Sequence, residues 1–363
     1  MPEAALLGLR LPVRRILVLR PRALGDVLLA TPALRALRHG FPAAELHVAV
    51  DDVLEPLLRD NPDVHQLWLL PRRRQRGWRA WWPVYRDLRQ AHFDLVIDLH
   101  GSPRTAFLSR WSGARNRVGY ALRGRGRFYN LRVQRDTDRH GRRRALYAAQ
   151  TNLEIVARCG VQGEVLADTR LVLMPGPPEV EHRAAAMLDA AAPQRPRVGL
   201  APAGTWPAKT YPVEHWAQVG DRLAAQGCGV LLLWGPGEEA VVEAVRARMQ
   251  QRAGLLPATG IEAMAAVIAR LELLLCNDSG IKHVAVARGT PSLTLYGPTN
   301  PVAWSPPAGP HAGLRVALPC LACNRTVCAH RSCMQLLDPA AVAARALELV
   351  AARGREGARA CES

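Results

Sequence analysis

Three short stretches of the 363-residue chain place polar side chains where apolar runs end. In the first, Ile16-Leu17-Val18-Leu19 empties into Arg20-Pro21-Arg22-Ala23-Leu24-Gly25-Asp26, and a helical pattern follows at once. Gly25 allows a tight strand-to-helix turn, and Asp26 sits where an N-cap carboxylate accepts backbone N–H bonds and meets the positive helix end. The same carboxylate, held at a strand's carboxyl end, is also placed to serve as a general base. Residue types alone leave both roles open. Thr31-Pro32 further along is compatible with a short helical turn that ends there and a second that begins at Pro32.

The other two stretches lie in the second half. APAGTWPAKTYPVEHW, residues 201–216, combines the small Ala203 and Gly204, which let a ligand approach the backbone, with the Thr205 hydroxyl and Lys209. This is phosphate-loop chemistry without a Walker sequence or a GxGxxG. In CNDSGIKHVAVARGTPSLTLYGPTNP, residues 276–301, a strand ends at Asn277-Asp278, Ser279-Gly280 opens a helix, and His283 lies one turn in. Free N–H groups and the helix dipole make such a terminus an anion site. Asp278 alone fits a cap, and His283 alone fits a packed histidine. Both loops together, at strand ends in one half of the chain, point to a nucleotide diphosphate.

These loops need strands to carry them. Apolar strand candidates are 15–19, 45–50, 67–70, 94–99, 197–202, 229–235, 272–277 and 292–297, and helical patterns cover 24–38, 79–91, 145–158, 212–226, 238–252, 261–269 and 280–288. Near-continuous apolar strands alternating with amphipathic helices indicate parallel sheets covered on both faces. The series restarts after the Pro-rich stretch 174–181. The fold class expected is α/β, with two Rossmann-like doubly wound domains joined by a linker and a ligand site in the crevice between them. The domain bounds expected are 1–175, 176–338 and a C-terminal helix and tail at 339–363.

The apolar fraction of 49% is that of a globular chain. No apolar run reaches the roughly 18 to 20 residues of a membrane-spanning helix, and the first residues carry their charges after their apolar part, the reverse of a signal peptide. A cytoplasmic location is expected. The formal charge of +17 is uneven: residues 1–175 carry 30 basic against 16 acidic side chains, the remainder 18 against 15. Nearly all the cations are arginine, with Lys209 and Lys282 the two lysines of the chain. The basic first half points to an anionic partner: nucleic acid, a phosphorylated saccharide or an acidic membrane surface.

GDVLLATPALRAL at 25–37, DLHGSPRTAFL at 98–108, the Thr205/Lys209 loop, WGPGEE at 234–239 and NDSGIKHVAVARGTPSLTLYGPTNP at 277–301 together resemble glycosyltransferase family 9, the lipopolysaccharide heptosyltransferases. The resemblance covers almost the whole chain. It implies the two-domain GT-B fold, with the acceptor on the N-terminal domain and ADP-L-glycero-D-manno-heptose on the C-terminal domain. By the same resemblance Asp26 matches the family's catalytic base, Thr205 and Lys209 match diphosphate contacts, and Glu239 matches a carboxylate near the nucleoside. Asp278, Ser279, Gly280 and His283 match the heptose and phosphate loop. Gly204 stands where some relatives carry a second threonine. Glu239 also reads as an ordinary first-turn helix acid. The implied reaction is a single inverting displacement. No Asp-x-Asp pair stands near either loop, so neither a divalent ion nor a cofactor is expected.

On the acceptor side, residues 72–89 mix seven arginines with Trp78, Trp81, Trp82 and Tyr85, and residues 115–132 add six arginines with Tyr120, Phe128 and Tyr129. Arginine forks match carboxylates and phosphates, which suits an anionic lipopolysaccharide precursor. Arg72, Arg73, Arg104 and Arg123 are the acceptor contacts expected. Interleaved aromatics suit peripheral association with the cytoplasmic face of the inner membrane. A non-catalytic binder of anionic polymers, nucleic acid included, leaves the donor loops without a role, so no nucleic acid is expected; a different donor sugar or acceptor glycan remains the alternative. Four of eight cysteines, Cys320, Cys323, Cys328 and Cys333, form a CxxC-led cluster. Its gaps are short for a zinc ribbon, which makes it a weak metal candidate; the resemblance to family 9, whose members carry similar segments after the GPTNP stretch, implies a structural element closing the second domain.

Overall fold

The computed structural model of the chain describes residues 8–71, 78–134 and 145–362. The chain divides into two compact units, Met1–Met174 and Pro175–Ser363. The first contains β1 (Arg15–Leu19), α1 (Leu24–Leu28), α2 (Thr31–Gly40), β2 (Glu45–Asp51), β3 (Gln66–Leu70), α3 (Trp78–Gln90), β4 (Leu95–Asp98), α4 (Pro103–Trp111), β5 (Asn116–Tyr120), β6 (Leu131–Val133) and α5 (Ala148–Arg158). Its strands form one six-stranded sheet in the order β3-β2-β1-β4-β5-β6, parallel at every pairing.

The second unit contains α6 (Pro178–Ala191), β7 (Arg197–Ala201), α7 (Val213–Ala225), β8 (Gly229–Leu232), α8 (Glu239–Arg246), β9 (Gly254–Leu255), α9 (Ile261–Ile268), β10 (Leu273–Asn277), α10 (Gly280–Ala287), β11 (Ser292–Leu295), α11 (Pro301–Trp304), β12 (His311–Leu314), α12 (Ser332–Gln335) and α13 (Pro339–Glu362). Its sheet runs β12-β11-β10-β7-β8-β9, again parallel throughout. Counted from the first strand of each unit, both sheets have the order 3-2-1-4-5-6 of the doubly wound nucleotide-binding fold. The order reverses between β1 and β4 in one unit and between β7 and β10 in the other.

The strands that carry the site are apolar on both faces because helices cover both. Ile16, Leu17, Val18 and Leu19 are each 1% exposed or less; Leu17 and Leu19 pack with Val96, Leu88 and Phe93. In the second unit Val198, Leu200, Leu273 and Leu275 pack with Trp216, Leu223 and Val342. Strands with this pattern are the ones expected from sequence. Those without it are β5, with its polar Asn116 and Arg117, and the short β6, β9 and β12. The stretch at 174–181 is only partly linker, since α6 starts within it with a proline in its first turn, where the missing N–H costs nothing. The C-terminal helix α13 packs on α7 and β10 and so belongs to the second unit.

Candidate active site

Asp26 lies in the first turn of α1, directly beyond the carboxyl end of β1. It is the third helical residue and not the N-cap, which is Ala23; the expected capping geometry shifts by one turn because the helix starts at Leu24. Its Oδ2 accepts the Ala23 N–H at 3.2 Å, and its Oδ1 lies 3.0 Å from the Arg20 guanidinium. Arg20 also donates to the Asp26 carbonyl at 3.1 Å and to the Leu99 carbonyl, which ties the β1 and β4 loops together. A carboxylate offers about four lone-pair directions, so two remain for a substrate.

The β4 loop is shaped by Asp98, which is fully buried. It accepts from Tyr129 Oη at 2.6 Å and from the amides of His100 at 2.9 Å and Gly101 at 2.8 Å. Gly101 has φ +69°, the left-handed turn that glycine takes freely. His100, beside Arg20 and Asp26, is pushed down to about 4 by burial and then by the Arg20 charge, so it is neutral at physiological pH. Arg104, on the first turn of α4, lies over Trp81 with its guanidinium carbon 3.7 Å from the ring centroid, and its Nη2 stands 3.7 Å from Asp51 Oδ1. It is engaged by its own domain and half-buried. Arg123 is exposed and lines a shallow hollow of about 260 Å3 with Arg127 and Arg132. Arg72 and Arg73 lie outside the described residues.

In the second unit the two loops expected to hold an anion flank the β7/β10 reversal. Lys209 closes a tight turn at Pro207–Lys209. Its ammonium stands 3.1 Å from Asp278 Oδ2 and 3.2 Å from the Asp278 carbonyl, and 4.1 Å from the Trp206 ring centroid. Lys282 reaches the other carboxylate oxygen, Oδ1, at 2.6 Å, and Thr299 donates to Oδ2 at 2.7 Å. Burial opposes the Asp278 charge, but Lys282 and Lys209 outweigh it and hold the carboxyl well below its usual range. Asn277 ties the loops together: its Oδ1 accepts the Tyr211 N–H at 3.2 Å, and its Nδ2 donates to the Pro202 carbonyl at 2.6 Å.

Thr205 is exposed on the 202–206 loop. Ser279 is the N-cap of α10 and Gly280 its first residue, and the serine side chain caps none of the helix N–H groups. His283 is 3% exposed, stacks at a tilt on Trp304 at 6.4 Å, and has no hydrogen-bond partner on Nδ1. Burial, then the Lys282 charge, depress it well below 6.5. Glu239 is the exposed first residue of α8, while its neighbour Glu238 closes the loop by accepting the Gly235 N–H at 2.8 Å.

The cysteine segment braces the Lys209 turn and the loop after β11 that carries Thr299. Thr326 accepts the Ala208 N–H at 3.1 Å, and the Asn324 N–H donates to the Pro298 carbonyl at 2.7 Å. Cys333 is buried, and its thiol is raised by burial and by the nearby Cys320, Cys323 and Cys328; Cys320 and Cys323 are exposed. Among the described residues no group of three or more His, Cys, Asp or Glu is arranged to hold a metal ion.

Arg20, Lys282 and Thr299 are site residues that the sequence reading did not select. Lys282 had a signal, since it follows Asp278 by four residues on a helix and the two must meet. Thr299 had none, because its contact crosses from a separate loop.

The model of the family described as glycosyltransferase family 9 (heptosyltransferase) matches residues 81–333. Lipopolysaccharide heptosyltransferase 1 of Pseudomonas aeruginosa is 26% identical over 334 residues, which cover 87% of this chain and 88% of that one. Among solved structures, E. coli ADP-heptose LPS heptosyltransferase II superposes with a TM-score of 0.74 at 20% identity, covering 94% of this chain and 99% of that one. A glycosyltransferase of family 9 from Veillonella parvula gives 0.72 at 24%, covering 83% and 85%. The fold is therefore GT-B, built from two Rossmann-like units.

The buried His283 has a consequence for stability. The folded chain leaves it neutral well below 6.5, whereas the unfolded chain protonates it near that value. Below about pH 6.5 the unfolded state binds more protons, so folding stability drops as pH falls and is fully present above that value. His283→Gln should flatten the dependence of unfolding free energy on pH between 6.5 and 5, by about 1.4 kcal/mol per pH unit. An unchanged slope in chemical denaturation would mean that His283 protonates in the folded chain.

Proposed function

The chain belongs to glycosyltransferase family 9, and from that premise we propose that it moves heptose from ADP-L-glycero-D-manno-heptose to the inner core of lipopolysaccharide, with inversion. The observation that carries this reading is the cationic cluster beyond β7 and β10, where Lys209 and Lys282 meet Asp278 at the start of α10. The descriptions of the Pseudomonas and E. coli relatives, which name lipopolysaccharide and ADP-heptose, support the donor and acceptor classes.

In this mechanism the acceptor hydroxyl gives its proton to Asp26 as its oxygen bonds to the anomeric carbon. The bond from that carbon to the diphosphate breaks, and its electron pair stays on the departing phosphate oxygen. Lys209, the Thr205 hydroxyl and the amides at Ser279 and Gly280 stabilise the charge that develops there. Asp278 and His283 border the heptose, and Glu239 meets the nucleoside. What supports Asp26 as base is its place at the β1/β4 reversal, where Arg20 and the Ala23 amide orient it. Asp26 lies before the segment matched by the family model, so its role rests on that geometry and on the resemblance of residues 25–37. Lys209 and the helix dipole provide what a divalent cation provides elsewhere, so the reaction we propose runs without metal.

The acceptor side is assigned to Arg104 and Arg123, with Arg72 and Arg73 contributing from the segment before α3. The adjoining surface carries exposed Trp82, Phe107 and Trp111. Phe107 and Trp111 stack at 5.9 Å, and the exposed Arg79, Arg86 and Arg110 lie on the same two helices. Aromatic rings among arginines suit a headgroup layer rich in anionic lipid, and we assign this face to peripheral association with the inner membrane. No described helix is long and apolar enough to cross a membrane.

Three outcomes test the reading. Asp26→Asn should lower transfer by about 100-fold or more while ADP affinity and the melting curve stay unchanged; substantial turnover in that variant rules out the base. Calorimetric titration in EDTA should show ADP bound in preference to GDP and UDP, and Lys209→Ala should weaken it about tenfold or more through loss of a charge-assisted contact. Preference for another nucleotide would keep the fold and change the donor. In vesicle flotation the chain should bind membranes containing anionic phospholipid, and Trp82→Ser with Trp111→Ser should release it; binding that survives both changes moves the membrane face elsewhere.

A further inference from the structure

The two lysines of the chain end on one carboxylate, and they do so unequally. Lys282 is 1% exposed, sits on the α10 turn that follows Asp278, and is held from behind by Tyr296 Oη at 2.9 Å, which in turn bonds Ser305 at 2.6 Å. It has no path to a ligand. Lys209 is on a surface turn, its side chain 13% exposed, with Trp206 beneath it.

Asp278, 5% exposed, needs one counter-charge and has two. We propose that Lys282 is the permanent counter-ion of Asp278, a positioning residue that frees Lys209 to leave Asp278 and take hold of the donor's diphosphate. This rests on the donor reading above. Without Lys282, moving Lys209 onto an anion would strand a buried carboxylate, which is strongly unfavourable unless the carboxylate takes up a proton. The other groups facing Asp278 carry no positive charge to replace it. His283 stays neutral through burial, Cys276 is raised to about 12 by burial, Tyr296 is raised by burial, and Thr299 is a neutral donor. His311, which faces Lys282, is neutral as well, pushed to about 4 by burial. In the absence of ligand Lys209 is therefore parked on an acid that does not depend on it.

The decisive experiment is titration of the full chain with ADP, by calorimetry in buffers of different ionisation enthalpy, so that affinity and proton uptake are read together. Lys282→Met should bind ADP about tenfold more weakly or worse, and its binding should take up protons beyond the wild-type number, increasingly from pH 8 to pH 6. Asp278→Asn combined with Lys282→Met leaves no carboxylate to compete for Lys209. It should return ADP affinity to within about threefold of wild type and lose the extra uptake. A merely structural lysine would lower the melting temperature and leave both readouts alone.

The proposal is overturned if Lys282→Met binds ADP within twofold of wild type with no added proton uptake, or if the double variant binds as weakly as the single one. Should Lys282→Met not fold, the uncharged double variant decides: wild-type affinity upholds the proposal, and a tenfold loss refutes it. Lys209→Ala in the otherwise unaltered chain separates the two levels. Unchanged ADP affinity there removes the donor reading itself, whereas weakened ADP binding there beside an indifferent Lys282→Met removes this proposal alone.

Discussion

Each sheet of this protein is parallel throughout and covered on both faces, and that constraint decides where any chemistry can happen. A strand such as β1 or β10, apolar on both sides, has no room along its length for a working polar group. Polar groups emerge only where strands end. Helices leave the sheet toward opposite faces only at the β1/β4 and β7/β10 reversals, so a crevice opens only there. Asp26 with the 98–104 loop occupies the first reversal, and the Lys209 turn with Asp278 occupies the second.

The two reversals are finished differently. In the second unit, charge is concentrated and buried. One carboxylate is shared by two ammonium groups and a hydroxyl, Asn277 clips the β7 and β10 loops together, and the cysteine segment braces the Lys209 turn and the Thr299 loop. Apart from Lys209, whose turn is partly exposed, the members of this group are held in place by one another, in a medium that screens their charges weakly. Two ammonium groups against one carboxylate leave the cluster with a surplus of positive charge.

In the first unit the cations are arginines, and planarity matters as much as charge. Arg20 spans the Asp26 carboxylate and two backbone carbonyls, and Arg104 lies over Trp81. A lysine could do neither, because its ammonium is a compact, strongly hydrated point charge.

Much of this was determined by the sequence. Apolar runs without alternation mark buried parallel strands, and the restart of the series after residue 174 marks a second unit. Asp26, Lys209 and Asp278 were legible as candidates because each lies in the loop or first turn that follows such a run. The motifs at 25–37, 98–108, 205–209, 234–239 and 277–301 were together enough to identify the family. Strands β5, β6, β9 and β12 were not legible, because edge or polar strands lack the continuous apolar signal, and α6 was hidden behind the prolines that begin it. The site's inner contacts were decided by tertiary structure. Thr299 reaches Asp278 from another loop, Arg20 joins two strand ends, and Arg104 stacks on a tryptophan of a different helix. Periodicity records how a residue relates to its neighbours in sequence. It holds no record of which distant groups the sheet will bring within 3 Å, and it is that proximity, in a buried and weakly screened place, that turns an aspartate and two lysines into a site.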